Sequence, residues 1–308
     1  MNLPASTSLD ATFRSQSNAI ERAMGRSVWG RRAARLPDEG VLILSTDLQG
    51  NLGDYEALKR VYFREQALGH KPTLAFCGDM VHGPSPDLNE PGAWPAHLGT
   101  AYVDDSAELI RDFEAFTRTE RSFSVLGNHE HAHIGGPVVP KFHPDEAAVL
   151  DEALGNDRER IHTFFRAWPL VAVAPCGVVL THGAPRRTEP TLQDFENLRY
   201  DGHRRDSIQS MYMQGTLGAL LWARSATPVQ ARALLAATSL DGKPGAFVAY
   251  GHDVVPSGYE KVGDEQICFS TSFGLYDPHK VYLRLDLSRR YRSVHDLREG
   301  IEIIPLYG

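Results

Sequence analysis

Leu74-Ala75-Phe76-Cys77-Gly78-Asp79-Met80-Val81-His82-Gly83, residues 74–83, decides how this chain is read. Its first four residues fit a short buried strand. The run breaks at a glycine, the residue that lets a backbone turn sharply, and a carboxylate and an imidazole follow at once. Working outward, the same change recurs. Asp47-Leu48-Gln49-Gly50-Asn51 follows an apolar run at 41–46, and Gly127-Asn128-His129-Glu130 follows one at 123–126. His182-Gly183 follows 178–181, and Gly251-His252-Asp253 follows 246–250. Open α/β sheets place their ligands where strands end in loops, so these five segments are the candidate site.

Between the strands lie helical patterns. Leu58, Val61 and Tyr62 recur at helical spacing and predict a helix over residues 53–66, with a second, amphipathic one over 106–117. Further strands are expected near 170–173, 258–262, 267–270 and 281–286, and a helical insert over 193–237. Pro84, Pro86, Pro91 and Pro95 argue against any regular element over 81–102, which reads as a surface loop beside the site. Strand and helix alternate, the signature of an α/β layered fold.

A chain of 308 residues with 42% hydrophobic composition can bury a sizeable core. The division expected is an N-terminal extension over 1–40, a catalytic domain over 41–290 and a tail over 291–308. A net charge of −7 argues against nucleic acid or an anionic membrane as partner. Cys77, Cys176 and Cys268 are odd in number and far apart, which fits a reducing compartment. No apolar run approaches about 18 residues, and no signal-peptide core is evident. Arg14, Arg22, Arg26, Arg31, Arg32 and Arg35 give the first residues some flavour of a transit peptide, against which stand Asp10, Glu21, Asp38 and Glu39. The expected location is the cytoplasm.

Any one of these polar residues would fit a turn or a cap. Together they offer mixed oxygen and nitrogen donors, which suit Mn, Fe or Zn better than the all-oxygen shell of Ca or Mg. Their order, Asp-x-(His), Gly-Asp, Gly-Asn-His-Glu, His-Gly, Gly-His, resembles the calcineurin-like metallophosphoesterases, most closely the serine/threonine phosphoprotein phosphatases. His252-Asp253-Val254-Val255-Pro256-Ser257-Gly258-Tyr259-Glu260, Phe269-Ser270-Thr271-Ser272-Phe273 and Leu220-Leu221-Trp222 extend the likeness over residues 41–287. The resemblance implies an α/β sandwich of two mixed β-sheets flanked by helices. It implies a binuclear metal centre, Mn2+ first and Fe or Zn next, with Asp79 bridging, Asp47 and the Gln49 position on the first ion, and Asn128, His182 and His252 on the second. Two ions about 3.5–4 Å apart clamp a phosphoryl group and lower the pKa of a bridging water. His129 would protonate the departing alkoxide.

This chain departs from the pattern in three places. Gln49 stands where the family has His, and a neutral amide oxygen is a weaker ligand, so a loose or replaced first ion and a partial loss of activity are expected. His82 stands where an Asp orients the general acid, and is expected to hydrogen-bond His129, to reach the first metal, or to serve its loop. Gly83 stands where an Arg binds phosphate. Arg186 and Arg187 are the expected substitutes, with Asn128 also on phosphate. His131 and His133 read as rim residues, and Glu130 as support for its loop. The expected activity is metal-dependent hydrolysis of a phosphorylated protein or small phosphoester, with a serine/threonine protein phosphatase first. The alternatives are a dinucleoside polyphosphate hydrolase and a degenerate, non-catalytic phosphate-binding protein.

Overall fold

Apolar runs of three to six residues set the strands, and their alternation between two faces sets the layers. In the computed structural model, which describes residues 32–308, β1 (Ala33–Arg35) and β2 (Val41–Ser45) precede helix α1 (Leu52–Ala67) and β3 (Pro72–Phe76). Next come α2 (Ser106–Thr119), β4 (Ser122–Ser124), α3 (Asn128–His131), α4 (Glu146–Leu154), α5 (Arg158–Arg166), β5 (Val171–Val173) and β6 (Val178–Leu180). The second half adds α6 (Ile208–Gln214), α7 (Thr216–Trp222), α8 (Pro228–Ala237), β7 (Phe247–Tyr250), β8 (Tyr259–Val262), β9 (Gln266–Phe269), β10 (Val281–Asp286) and β11 (Ile303–Pro305). The transit-peptide reading and most of the extension expected over residues 1–40 lie outside the described residues.

Two mixed sheets result, as the sequence leads one to expect. One runs β11-β10-β2-β3-β4, with β2, β3 and β4 parallel and β10 antiparallel to β2. The other runs β1-β5-β6-β7-β9-β8, with β6, β7 and β9 parallel. Leu42, Leu44, Ala75 and Phe123 of the first pack with Leu180, Phe247, Ala249 and Phe269 of the second to form the core between the sheets. Alternate residues Ile43, Leu74 and Phe76 face outward and pack against Tyr55, Leu58 and Tyr62 of α1 and Phe113 of α2. One period of two thus serves both layers.

Three features add detail to the expected plan. The stretch 81–102 contains single 3-10 turns at Pro86–Asn89 and Ala96–Leu98, which proline tolerates at the start of a turn. The helical insert expected over residues 193–237 is present as several short helices: Gly215 separates α6 from α7, and Thr227 caps α8 through a reciprocal bond with Gln230. Outside residues 41–290, β1 and β11 each add an edge strand. Among the described residues no helix is long and apolar enough to cross a membrane.

Candidate metal and phosphate site

Backbone strain marks the place. Among the described residues six non-glycine residues adopt a left-handed φ, and five of them, Asp47, Gln49, Asp79, His82 and His252, belong to the candidate segments. Such conformations cost of order 1–3 kcal/mol each and persist where a function needs them. Glycine gives the loops their closeness. A Cβ on Gly127 would stand 2.3 Å from Asp79 Oδ1. One on Gly83 would stand 2.6 Å from the Gln49 carbonyl oxygen, so no arginine fits there.

Asp79, Asn128, His182 and His252 converge. His182 Nε2 lies 3.3 Å from Asp79 Oδ2, 3.0 Å from His252 Nδ1 and 2.8 Å from the Asn128 amide. Its Nδ1 is 2.6 Å from the Cys77 carbonyl oxygen, a group that can only accept, so that nitrogen carries the hydrogen and Nε2 is aimed at the cluster. This is the orientation a metal-binding imidazole needs, and the donor set fits a transition-metal ion. Burial alone pushes the Asp79 carboxyl up, but the imidazoles of His182 and His129 outweigh it and hold it well below the carboxylate range. Burial and the neighbouring His182 push His252 well below the usual histidine value. Glu130 braces the turn, accepting from the Asp79 and Gly127 amides through Oε2 and from the Met80 amide through Oε1.

Asp47 and Gln49 lie beside this group but are otherwise engaged. Asp47 Oδ2 accepts from Thr46 Oγ1 at 2.5 Å and from the His252 amide at 3.0 Å, while burial and the Asp79 charge raise its pKa. Gln49 Oε1 accepts from Lys141 Nζ at 2.8 Å. Lys141 is exposed as a residue, and its ammonium bonds buried Gln49 and sits 3.6 Å from the Phe273 ring centre. Loss of water around that charged end lowers its pKa against the pull of the Asp79 and Asp47 carboxylates.

A file of imidazoles leads away on the other side. His129 Nε2 points at Asp79 Oδ2, 3.7 Å off, while its Nδ1 faces Glu146 Oε2 at 3.3 Å and His82 Nδ1 at 2.9 Å. His82 Nε2 meets His133 Nε2 at 2.8 Å, and His133 Nδ1 meets Asp151, which also receives His162. Burial pushes His82 down to about 3. His131 and His133, expected at a loop rim, are instead buried: His131, at the end of α3, donates through Nε2 to the Tyr200 carbonyl at 2.7 Å, and the ring of His133, in the turn that follows, lies 5.4 Å from the Phe165 ring.

Arg186 and Arg187, the expected phosphate ligands, turn to other partners. Arg186 stacks 4.5 Å from the Tyr212 ring, and exposed Arg187 donates to the Met213 carbonyl. Tyr212, Trp222 and Arg224 line a cleft of about 470 Å³ beside His252, whose ring is 5.9 Å from that of Trp222. Sequence reasoning missed Lys141, Glu146, Asp151 and His162. All four lie outside the strand-to-loop segments and carry no spacing signal. The one hint was His82, whose presence in place of a carboxylate asks which other carboxylate faces His129.

The sequence profile of the calcineurin-like phosphoesterases matches residues 41–284. No curated protein matches the chain. Among solved structures, a Saccharomyces cerevisiae protein serine/threonine phosphatase with similarity to human phosphatase PP5 is 15% identical over 92% of this chain and 83% of that one, with a TM-score of 0.53. A cold-active protein tyrosine phosphatase is 11% identical over 86% of this chain and 78% of that one, with a TM-score of 0.51. At these identities the likeness speaks for the fold.

Proposed function

The chain belongs to the calcineurin-like phosphoesterase family of metal-dependent hydrolases, and from that premise we propose that it hydrolyses phosphomonoesters, with phosphoserine or phosphothreonine in protein as the substrate class. The observation that carries the reading is the convergence of Asp79, Asn128, His182 and His252 with His129 Nε2 turned toward the same point. These four side chains would hold a divalent ion, Mn2+ first. Such an ion, when bound, supplies an activated water and neutralises charge on the phosphoryl oxygens.

The remaining work falls to the chain. Asn128 and the Lys141 ammonium orient the phosphoryl group, and Arg224, which lines the cleft beside Tyr212, with Arg186 stacked on that ring, meets the rest of the substrate. His129 delivers a proton to the leaving oxygen through Nε2, its ring held by Glu146 and His82 at Nδ1. Glu146 takes the place of the carboxylate that His82 displaces. The Lys141–Glu146 stretch thus answers both losses, since the Phe142 amide bonds Glu146 Oε1 at 2.6 Å and fixes the two ends together.

The test is hydrolysis of an aryl phosphate by purified protein across Mn, Fe, Zn, Co and Mg, followed by phosphoserine, phosphothreonine and phosphotyrosine peptides and a dinucleoside polyphosphate. Turnover that needs a transition metal, stops with chelator and favours the phosphoserine or phosphothreonine peptide is expected. Binding of phosphopeptide with no turnover under any metal would replace the enzyme with a phosphate-binding protein.

A further inference from the structure

We propose that the Lys141 ammonium stands in for the first of the family's two metal ions, so that this chain works with a single divalent cation held by Asp79, Asn128, His182 and His252. The inference rests on the functional reading above and sharpens it.

A first ion needs a pocket of free lone pairs, and here the Gln49 side-chain oxygen and one Asp47 carboxylate oxygen are already engaged. The only donors from its loop are Asp47 and Gln49. Gln49 offers one neutral oxygen, and that oxygen accepts from Lys141 Nζ at 2.8 Å. Asp47 directs Oδ2 to Thr46 Oγ1 and to the His252 amide. Phe273, whose ring lies 3.6 Å from Lys141 Nζ, donates its backbone amide to the Asp47 carbonyl at 3.1 Å, so the ring that seats the ammonium is anchored on the same loop. Amide oxygen on one side and aromatic face on the other are the partners an ammonium takes. They are poor partners for a dication. An ammonium has no lone pair to give, and its charge repels a metal ion placed beside Gln49.

The replacement also makes chemical sense. Lysine is a compact point charge with three donors. Placed near Asp79 and Asp47, it offsets their repulsion and can meet a phosphoryl oxygen, two tasks that a first ion performs. It cannot share a bridging water as a ligand. The water-activating task therefore falls to one ion.

Two measurements test this on the full chain. Metal-free protein is loaded with excess Mn2+, freed of unbound ion by gel filtration, and its manganese counted per chain by elemental analysis; the same samples are examined by electron paramagnetic resonance. The wild-type protein is expected to hold about one ion per chain with the uncoupled six-line signal of isolated Mn2+. The Gln49→His/Lys141→Met variant, checked for a native melt, is expected to hold two with an exchange-coupled signal. Two coupled ions in the wild type would overturn the proposal whatever the variant does. One ion in a folded double variant would overturn Lys141 as the group that keeps the first ion out. No ion in either protein would overturn the metal-dependent reading itself, and this inference with it.

Discussion

Glu146 is buried, and its Oε2 lies between two imidazole nitrogens, 3.3 Å from His129 and 3.5 Å from His82. Burial pushes its pKa up, but the close imidazoles of His129 and His82 more than offset that and hold it at about 2. A carboxyl depressed in the folded state contributes stability above its unfolded value of about 4.3 and loses it as pH falls toward 2. Across the working range it is therefore an anion, and only substitution can remove its charge. Glu146→Gln is expected to leave metal content unchanged and to slow alkyl phosphates by on the order of 10²-fold, with a smaller loss on nitrophenyl phosphate, whose leaving group needs little protonation. Equal losses on both would show that Glu146 merely supports the fold. At this scale Asp47, Asp79, Asn128, His182 and His252 were legible because each directly follows an apolar strand. Glu146 and Lys141 were not, because a proline-flanked stretch delivers them from elsewhere and only folding brings them to the site.

Helix α1 is the element that ties the C-terminal end to the first sheet. Asn51 caps it by accepting from the Asp54 amide, and Asp54 itself is buried in the first turn. There its carboxylate meets Lys280 Nζ at 2.8 Å and the Tyr307 hydroxyl at 2.6 Å, with Lys280 and Asp54 both about 2% exposed. Lys280→Met would leave that carboxylate buried without a counter-charge, which typically costs about 3–5 kcal/mol. Chemical denaturation should record the loss, and Asp54→Leu added to it should restore much of the stability by removing the orphaned charge. A Lys280→Met protein as stable as wild type would mean that Tyr307 and the Asn51 side chain, which also donates to Asp54 at 2.9 Å, satisfy Asp54 without a counter-charge. Element by element, the sequence speaks where a period is long enough to count. Helix α2 buries Leu109, Ile110, Phe113 and Phe116 on one face and was visible. Helices α4 and α5 have nine residues each and were passed over. The three-residue strands β1 and β11 show no period of their own, and their partners β5 and β10 are set by the tertiary fold.

At the scale of the whole molecule the site is a seam between the two sheets. Asp79 and Asn128 follow β3 and β4 of one sheet, while His182 and His252 follow β6 and β7 of the other. An ion bound by all four side chains would therefore add a link between layers already joined by apolar packing and by hydrogen bonds such as that from the His252 amide to Asp47, and it would favour the folded state over an unfolded chain in which the donors are scattered. The increment at free metal 100-fold above Kd is about 2.7 kcal/mol. Its size should depend on pH in a set direction. Without metal, burial pulls His182 down, but the Asp79 carboxylate beside it prevails and holds its pKa up at about 9. The protonated ring contributes stability that is complete below its unfolded value of about 6.5 and is lost as pH rises through 9. Metal needs the same nitrogen without its proton. Melting curves with and without Mn2+ should thus separate little at pH 6, widen steadily toward pH 9 as the competing proton leaves, and collapse onto each other at every pH in Asp79→Asn. A shift that is flat in pH, or one that survives Asp79→Asn, would mean that the ion stabilises the protein from some other place.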